Sequence, residues 1–150
     1  MKKHLTCALA LLSGLLLQPA WGAQSCQIVA QNLNQQLGRA VDANEVASML
    51  ISLNKTERLP EKFVTKRQAK EAGWRPGKSL WNVPELHGKS IGGDRFGNFE
   101  KRVPDGKWKE ADLSYRGGKR NANRMIYAES GRRFVTVDHY RTFTEIPSCQ

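Results

Sequence analysis

The apolar positions change their period about halfway along the chain. In "CQIVAQNLNQQL", Ile28, Val29, Leu33 and Leu37 fall near one face of a helix, and Gly38 offers a stop. "DANEVASMLISLN" repeats the pattern, with Val46, Met49, Leu50 and Leu53 as its apolar stripe. Asp42 is placed to cap this second helix, and Glu45 three residues on completes a capping-box-like pattern. "TKRQAKEAG", Thr65 to Gly73, predicts a third, short helix between a threonine cap and a glycine terminator. From Trp74 to Gly88 the chain is punctuated by Pro76, Gly77, Pro84 and Gly88 and reads as an ordered loop.

Beyond that loop the alternation becomes strand-like. "KSIGGDRF", "KWKEADLSY", "ANRMIYAES", "RRFVTVDHY" and "TFTEI" are five candidate strands, and "ESG", Glu129 to Gly131, links two of them tightly. Helices followed by strands predict an α+β fold, with N-terminal helices packed on one face of a five-stranded antiparallel sheet. The other face is then expected to stay open to solvent and ligands.

The N-terminal residues follow neither pattern. A basic start, Met1-Lys2-Lys3, leads into "LTCALALLSGLLL", which is short for a membrane span, and then into "QPAWGAQS" with a proline and small residues. Residues 1–23 are therefore expected to be a secretion signal peptide, cut near residues 22–25, with Ala20 and Gly22 at the positions a signal peptidase reads. An uncleaved anchor and an acylated Cys26 are the competing readings, the latter weakened because Ala23-Gln24-Ser25 lacks a large apolar residue. A secreted or periplasmic product follows, with no stable membrane insertion once the signal is removed.

The remaining residues, 24–150, suit one domain with a single modest core. Without Lys2 and Lys3, 22 basic residues face 14 acidic ones, a net charge of +8. Such a surplus points to a polyanionic partner (RNA, DNA or an anionic membrane surface), although solubility alone also accounts for it. Cys7 leaves with the signal, and Cys26 and Cys149 remain at opposite ends of the chain. In an oxidising compartment this pair reads as a disulfide, and its spacing has no metal-site pattern.

Candidate chemistry enters with the strand "KWKEADLSY". Ala111, Leu113 and Tyr115 share one parity, and Trp108, Glu110 and Asp112 the other, so an inward apolar set leaves Glu110 on the opposite face. Arg124 starts the next strand, Arg120 precedes it, and His139 closes the fourth. A carboxylate and an imidazole can act as general base and general acid while guanidinium groups neutralise a phosphate gaining charge. Spacing alone equally allows an ordinary charged surface and a structural histidine.

"GKSIGGDRFGN", "WKEADLSY", "RNANRMIY" and "DHYRTFTEI", preceded by "LPEKFVTK" and "AGW", decide the matter differently. Together they resemble the barnase-like, guanyl-preferring secreted ribonucleases of bacteria over residues 59–146, with 24–58 as a helical extension. The resemblance implies a metal-free endoribonuclease that needs no cofactor and cleaves single-stranded RNA. Glu110 would take the ribose 2′-OH proton, and His139 would protonate the leaving 5′-oxygen. Arg120, Arg124 and Lys66 would hold the phosphate, with Asp94 supporting Lys66 and Arg120. The first product would be a 2′,3′-cyclic phosphate, hydrolysed afterwards to a 3′-phosphate. DNA, lacking the 2′-OH, could bind without being cut.

Base choice would lie in "RFGNFE". Glu100 would accept from guanine's N1 and N2, and backbone N–H groups of Gly97, Asn98 and Phe99 would donate to O6. Phe96, Tyr140 and His139 would offer ring surfaces. Where the family has serine and arginine, this chain has Gly97 and Phe99; the lost arginine removes a charge that Arg95 is placed to restore. The resemblance further implies a monomer and a barstar-like acidic inhibitor protein. The alternative reading is a non-catalytic RNA-binding or interaction module on the same fold, against which the complete set of Glu110, Arg120, Arg124 and His139 speaks.

Overall fold

The computed structural model describes residues 22–150, so the expected signal peptide lies almost wholly outside the described residues. Helix α1 (Cys26–Gln36) is capped by Ser25, whose hydroxyl accepts from the Ile28 N–H. Helix α2 (Ala43–Thr56) is capped by Asp42, whose carboxylate accepts from the N–H groups of Asn44 and Glu45. The reciprocal half of the expected capping box is not made. Glu45 lies on the buried side of α2, where its carboxylate accepts from the Ser114 N–H and pairs with Lys62. The predicted stripes of α1 and α2, except for Ile28, which is exposed, meet Ala111, Leu113, Met125, Tyr127 and Val135 in one core, so the helical extension and the sheet are a single packing unit.

The sheet has six strands rather than five, and their spatial order is their chain order. They are β1 (Phe63–Val64), β2 (Ser90–Phe96), β3 (Trp108–Asp112), β4 (Arg124–Ala128), β5 (Arg133–Thr136) and β6 (Thr144–Glu145). The added strand β1 runs parallel to β2, and every other pair is antiparallel. Two residues carry no periodic signal, which is why alternation could not reveal β1. Directly after it, α3 (Lys66–Glu71) starts at a complete capping box of Thr65 and Gln68. The register of β2 on β3 shifts between Gly92 and Asp94, with Gly93 at φ +103°. A Cβ on Gly92 would lie 2.6 Å from the Phe63 ring, so only glycine lets β1 and β2 approach here.

The second face of the sheet is not open, as expected, but largely covered. Trp108, Ile126 and Phe134 form a cluster with Val103, supported by Phe96, Tyr140 and Phe143. Phe96 at the end of β2, Val103 from the loop after it, and Tyr140 and Phe143 from the loop after β5 close over the strands, and Glu110 is left 8% exposed. A third cluster, Trp74, Leu80, Leu86, Ile91 and Tyr115, orders the loop over residues 74–88, which contains two 3-10 turns (Leu80–Asn82 and Pro84–Leu86). The Tyr115 hydroxyl accepts from the Leu80 N–H and donates to the Gly118 carbonyl, pinning that loop beside the sheet. The two ends of the described residues meet: Cys26 and Cys149 form the expected disulfide across 123 residues, and the Cys26 and Gln150 N–H groups bond to the Gln150 and Gln24 carbonyls.

Candidate active site

Glu110 and Asp112 are two residues apart on β3, so their side chains leave the same face. Asp112 is directly opposite Arg124 on β4, which in turn is opposite Thr136 on β5. Arg124 Nε lies 3.1 Å from Asp112 Oδ1. Arg120 reaches the same carboxylate with Nε and Nη2, both at 2.7 Å. These two hydrogen bonds donated to Asp112 raise the Arg120 pKa above its ordinary value. Arg124 is buried, its Nη1 donating to the carbonyls of Asn121 and Asn123. Arg120 is less committed, and its Nη1 makes no hydrogen bond among the described residues.

Glu110 is held from two sides. The Tyr140 hydroxyl donates to Oε2 at 2.9 Å, and Lys66 Nζ lies 3.8 Å from Oε1. Burial, together with the neighbouring carboxylate, pushes the Tyr140 hydroxyl up to about 12, so it stays a donor at neutral pH. Asp94 is set opposite Glu110 by the β2 bulge, and its carboxylate accepts from the backbone N–H of Lys66 at 3.0 Å. It thus fixes the start of α3, whereas the carboxylate bonded to Arg120 is Asp112 and not Asp94.

His139 does not close β5, which ends at Thr136; it stands in the following loop and is exposed. His139 and Tyr140 have φ values of +56° and +69°, a left-handed pair that non-glycine residues adopt only where neighbours enforce it. The enforcement is visible. The His139 N–H donates to the Ala122 carbonyl, and the Tyr140 N–H to the Thr136 hydroxyl. Asp138 accepts from the N–H groups of Arg141 and Thr142 and from the hydroxyls of Thr136 and Thr142. Those bonds, led by the Thr142 hydroxyl, lower the Asp138 pKa to about 2. The His139 and Tyr140 ring centroids are 4.9 Å apart, and Tyr140 spans from there to Glu110. His139, Arg120 and Arg124 line one cleft of about 460 Å³, closed on its far side by Trp74, Pro76 and Lys78.

The base-loop residues are arranged less directly. Phe96 is stacked on Tyr140 at 5.5 Å and 15°, so each ring already covers a face of the other. The Asn98 side chain donates to the Val103 carbonyl and accepts from its N–H, bracing the loop. Glu100 is exposed and paired through Oε2 with Arg102 at 2.6 Å. Phe99 is 92% exposed, and a Cβ on Gly97 would fall 2.4 Å from its ring. The two departures from the family pattern therefore belong together, since the glycine makes room for the ring. Arg95 does not restore a charge near the phosphate residues: it pairs with Lys109, one place along from Asp94 and Glu110, and so emerges on the other face.

Three contributions were absent from the sequence reading: the Asp112 carboxylate shared by both arginines, the Asp138 brace, and the Tyr140 hydroxyl on Glu110. Asp112 could have been found, because it shares the parity of Glu110. The other two depend on loop closure, which has no periodic signature. Among the described residues no group of three or more His, Cys, Asp and Glu side chains is placed to hold a metal ion.

Comparisons with known proteins identify the family of the chain. A ribonuclease family profile matches residues 47–147, beginning inside α2. A ribonuclease of Bacillus pumilus is 36% identical over 149 residues, covering 93% of this chain and 91% of that protein, and one of Bacillus intermedius matches to the same extent. A ribonuclease of Heyndrickxia coagulans is 45% identical over 94 residues, 60% of this chain and 84% of its own.

Proposed function

This chain belongs to the bacterial ribonuclease family and is an endoribonuclease acting on RNA; from that premise we propose a metal-independent, cyclising cleavage after guanosine. The observation that supports it most is the Glu110 carboxylate linked through Tyr140 to His139, on the side of the sheet where Arg120 and Arg124 line a cleft.

Glu110 acts as general base on the 2′-OH, and its tethers keep the carboxylate in one orientation. Attack of the 2′-oxygen on phosphorus forms the 2′,3′-cyclic phosphate while the P–O5′ bond breaks, and His139 gives its proton to the departing oxygen. In the second step His139 takes a proton from water, the hydroxide opens the ring, and Glu110 returns a proton to the 2′-oxygen. Lys66 and Arg120, with Arg124 behind them, offset the charge that builds on the phosphate, supplying electrostatically what a divalent ion would otherwise provide. Asp112 orients the two guanidinium groups. Guanine is selected by Glu100, which accepts from N1 and N2 through Oε1 or after exchanging Arg102, with loop N–H groups donating to O6.

Export accompanies this activity, supported by the leader-like first residues and by the disulfide that joins Cys26 to Cys149. Digestion of an RNA of known sequence in excess chelator tests the proposal. The expected fragments end in guanosine 2′,3′-cyclic phosphate or 3′-phosphate. Loss of cleavage under chelation, or fragments carrying 5′-phosphates, would refute it.

A further inference from the structure

The sheet face turned away from Glu110 carries a second cationic arrangement. Arg95, Lys109, Tyr127 and Arg133 are register partners across β2, β3, β4 and β5, and so form one row on that face. At about 4.8 Å between neighbouring strands, the row spans about 14 Å. Beside it, where α2 ends, is a groove of about 990 Å³. Five cations line it (Arg58, Arg95, Lys107, Lys109 and Arg133) against two carboxylates, Glu57 and Glu129. None of the five is in an ion pair among the described residues.

Arg133 is the telling member. It is only 9% exposed, where strand burial would favour an apolar side chain. Its Nη1 donates to Asn54 Oδ1 at 2.8 Å, while the buried Nε has no partner. Burial lowers its pKa, the mark of a charge kept in a poorly solvated place. An unpaired buried guanidinium is costly, and the Nε–Nη2 edge is the fork that grips two oxygens of one phosphate. Tyr127, its neighbour in the row, is held protonated by burial, which pushes it up to about 12, and it adds a hydroxyl donor.

We propose that this groove binds a phosphodiester of the RNA strand outside the catalytic cleft, through Arg133, Lys109 and Arg95. The inference rests on the endoribonuclease reading for its choice of polyanion. Phe96 and Gly97 line the groove and also open the loop that bears Glu100, so a strand leaving the base site would pass around the ends of β2 and β3 into the row. A lipid surface fits less well. The recessed Arg133 is out of reach of a plane, and the two large apolar side chains most exposed among the described residues, Ile28 and Phe99, lie outside the groove. The consequence is tighter binding of long RNA than of a dinucleotide, with no change at the reacting phosphate.

The test uses two variants, Arg95→Gln/Lys109→Gln, both at exposed positions, and Arg133→Met, which replaces the buried charge with an apolar chain. Binding is measured with a single-stranded oligodeoxynucleotide of 12 nucleotides, which presents phosphates but no 2′-OH. The double variant should bind about 10-fold more weakly, with a log K against log salt slope shallower by about 1.4 for two lost contacts. Arg133→Met should weaken binding in the same direction. Cleavage of a guanosine-containing dinucleoside monophosphate should be unchanged in both. Unaltered oligonucleotide affinity and slope would overturn the inference, as would an equal loss on the dinucleotide. So would weakened binding to phosphatidylglycerol vesicles with oligonucleotide binding intact, which would assign the groove to a membrane. Should the native protein fail to cleave RNA at all, the nuclease mechanism falls while the binding arm still decides this site.

Discussion

Asp112 stands between Arg120 and Arg124 at 1% exposure, and both guanidinium groups depend on it. Breaking a buried ion pair from one side leaves the other charge uncompensated, which typically costs about 3–5 kcal/mol. Asp112→Ala is expected to lose that much in a urea unfolding experiment and to lose RNA cleavage as well; a loss under about 1 kcal/mol would show that the arginines find other partners. The same residue marks how far spacing can be read. Parity placed Glu110, Asp112 and Trp108 on one face, and this proved right. It did not show that the face is covered, because Val103, Tyr140 and Phe143 arrive from loops whose closure no local pattern records. Glu110 is consequently buried, with the Tyr140 hydroxyl bonded to one oxygen and the Lys66 ammonium group near the other, a setting that favours a fixed orientation over solvent access.

The loop after β5 is the element on which His139 depends. Two consecutive left-handed residues cost of order 1–3 kcal/mol each, and Asp138 supplies much of the hydrogen bonding that holds them. Its folded pKa of about 2 is below the ordinary carboxylate value, so its stabilisation is complete above about pH 4 and is lost as pH falls through 2. The melting temperature of the native protein should therefore exceed that of Asp138→Asn near neutrality, and the gap should narrow between pH 4 and pH 2. A constant gap would assign the difference to something other than this carboxylate. At this scale the helices and the four longer strands were readable, since each keeps a period of its own, and the two-residue β6 was caught within the alternating stretch "TFTEI". Strand β1 was not, because two residues reveal a parallel pairing only when β2 is beside them. The reciprocal cap expected on α2 is not made, because Glu45 is drawn instead to Ser114 and Lys62, both far along the chain.

At the scale of the whole molecule, the proposed mechanism joins a glutamate on β3 to a histidine in the loop after β5, and the fold that carries both is tied by Cys26–Cys149. The two cysteines beyond the expected leader were enough to anticipate this bond. A loop of 123 residues corresponds to about 5 kcal/mol of stabilisation on the chain-entropy model. Removing both cysteines by Cys26→Ala/Cys149→Ala should reduce unfolding free energy by about 2–5 kcal/mol, measured by urea titration, and leave cleavage at low temperature near the native rate. An unaltered unfolding midpoint would mean that the terminal hydrogen bonds and core suffice. The most direct test of the account is the leaving-group dependence of the two acid–base variants. On RNA, Glu110→Ala and His139→Ala should each lose about 10²-fold or more. On a guanosine 3′-(nitrophenyl phosphate), whose leaving group departs without a proton, His139→Ala should recover most of its rate and Glu110→Ala should not. Equal losses for His139→Ala on both substrates would contradict its assignment as the acid and with it the paired mechanism.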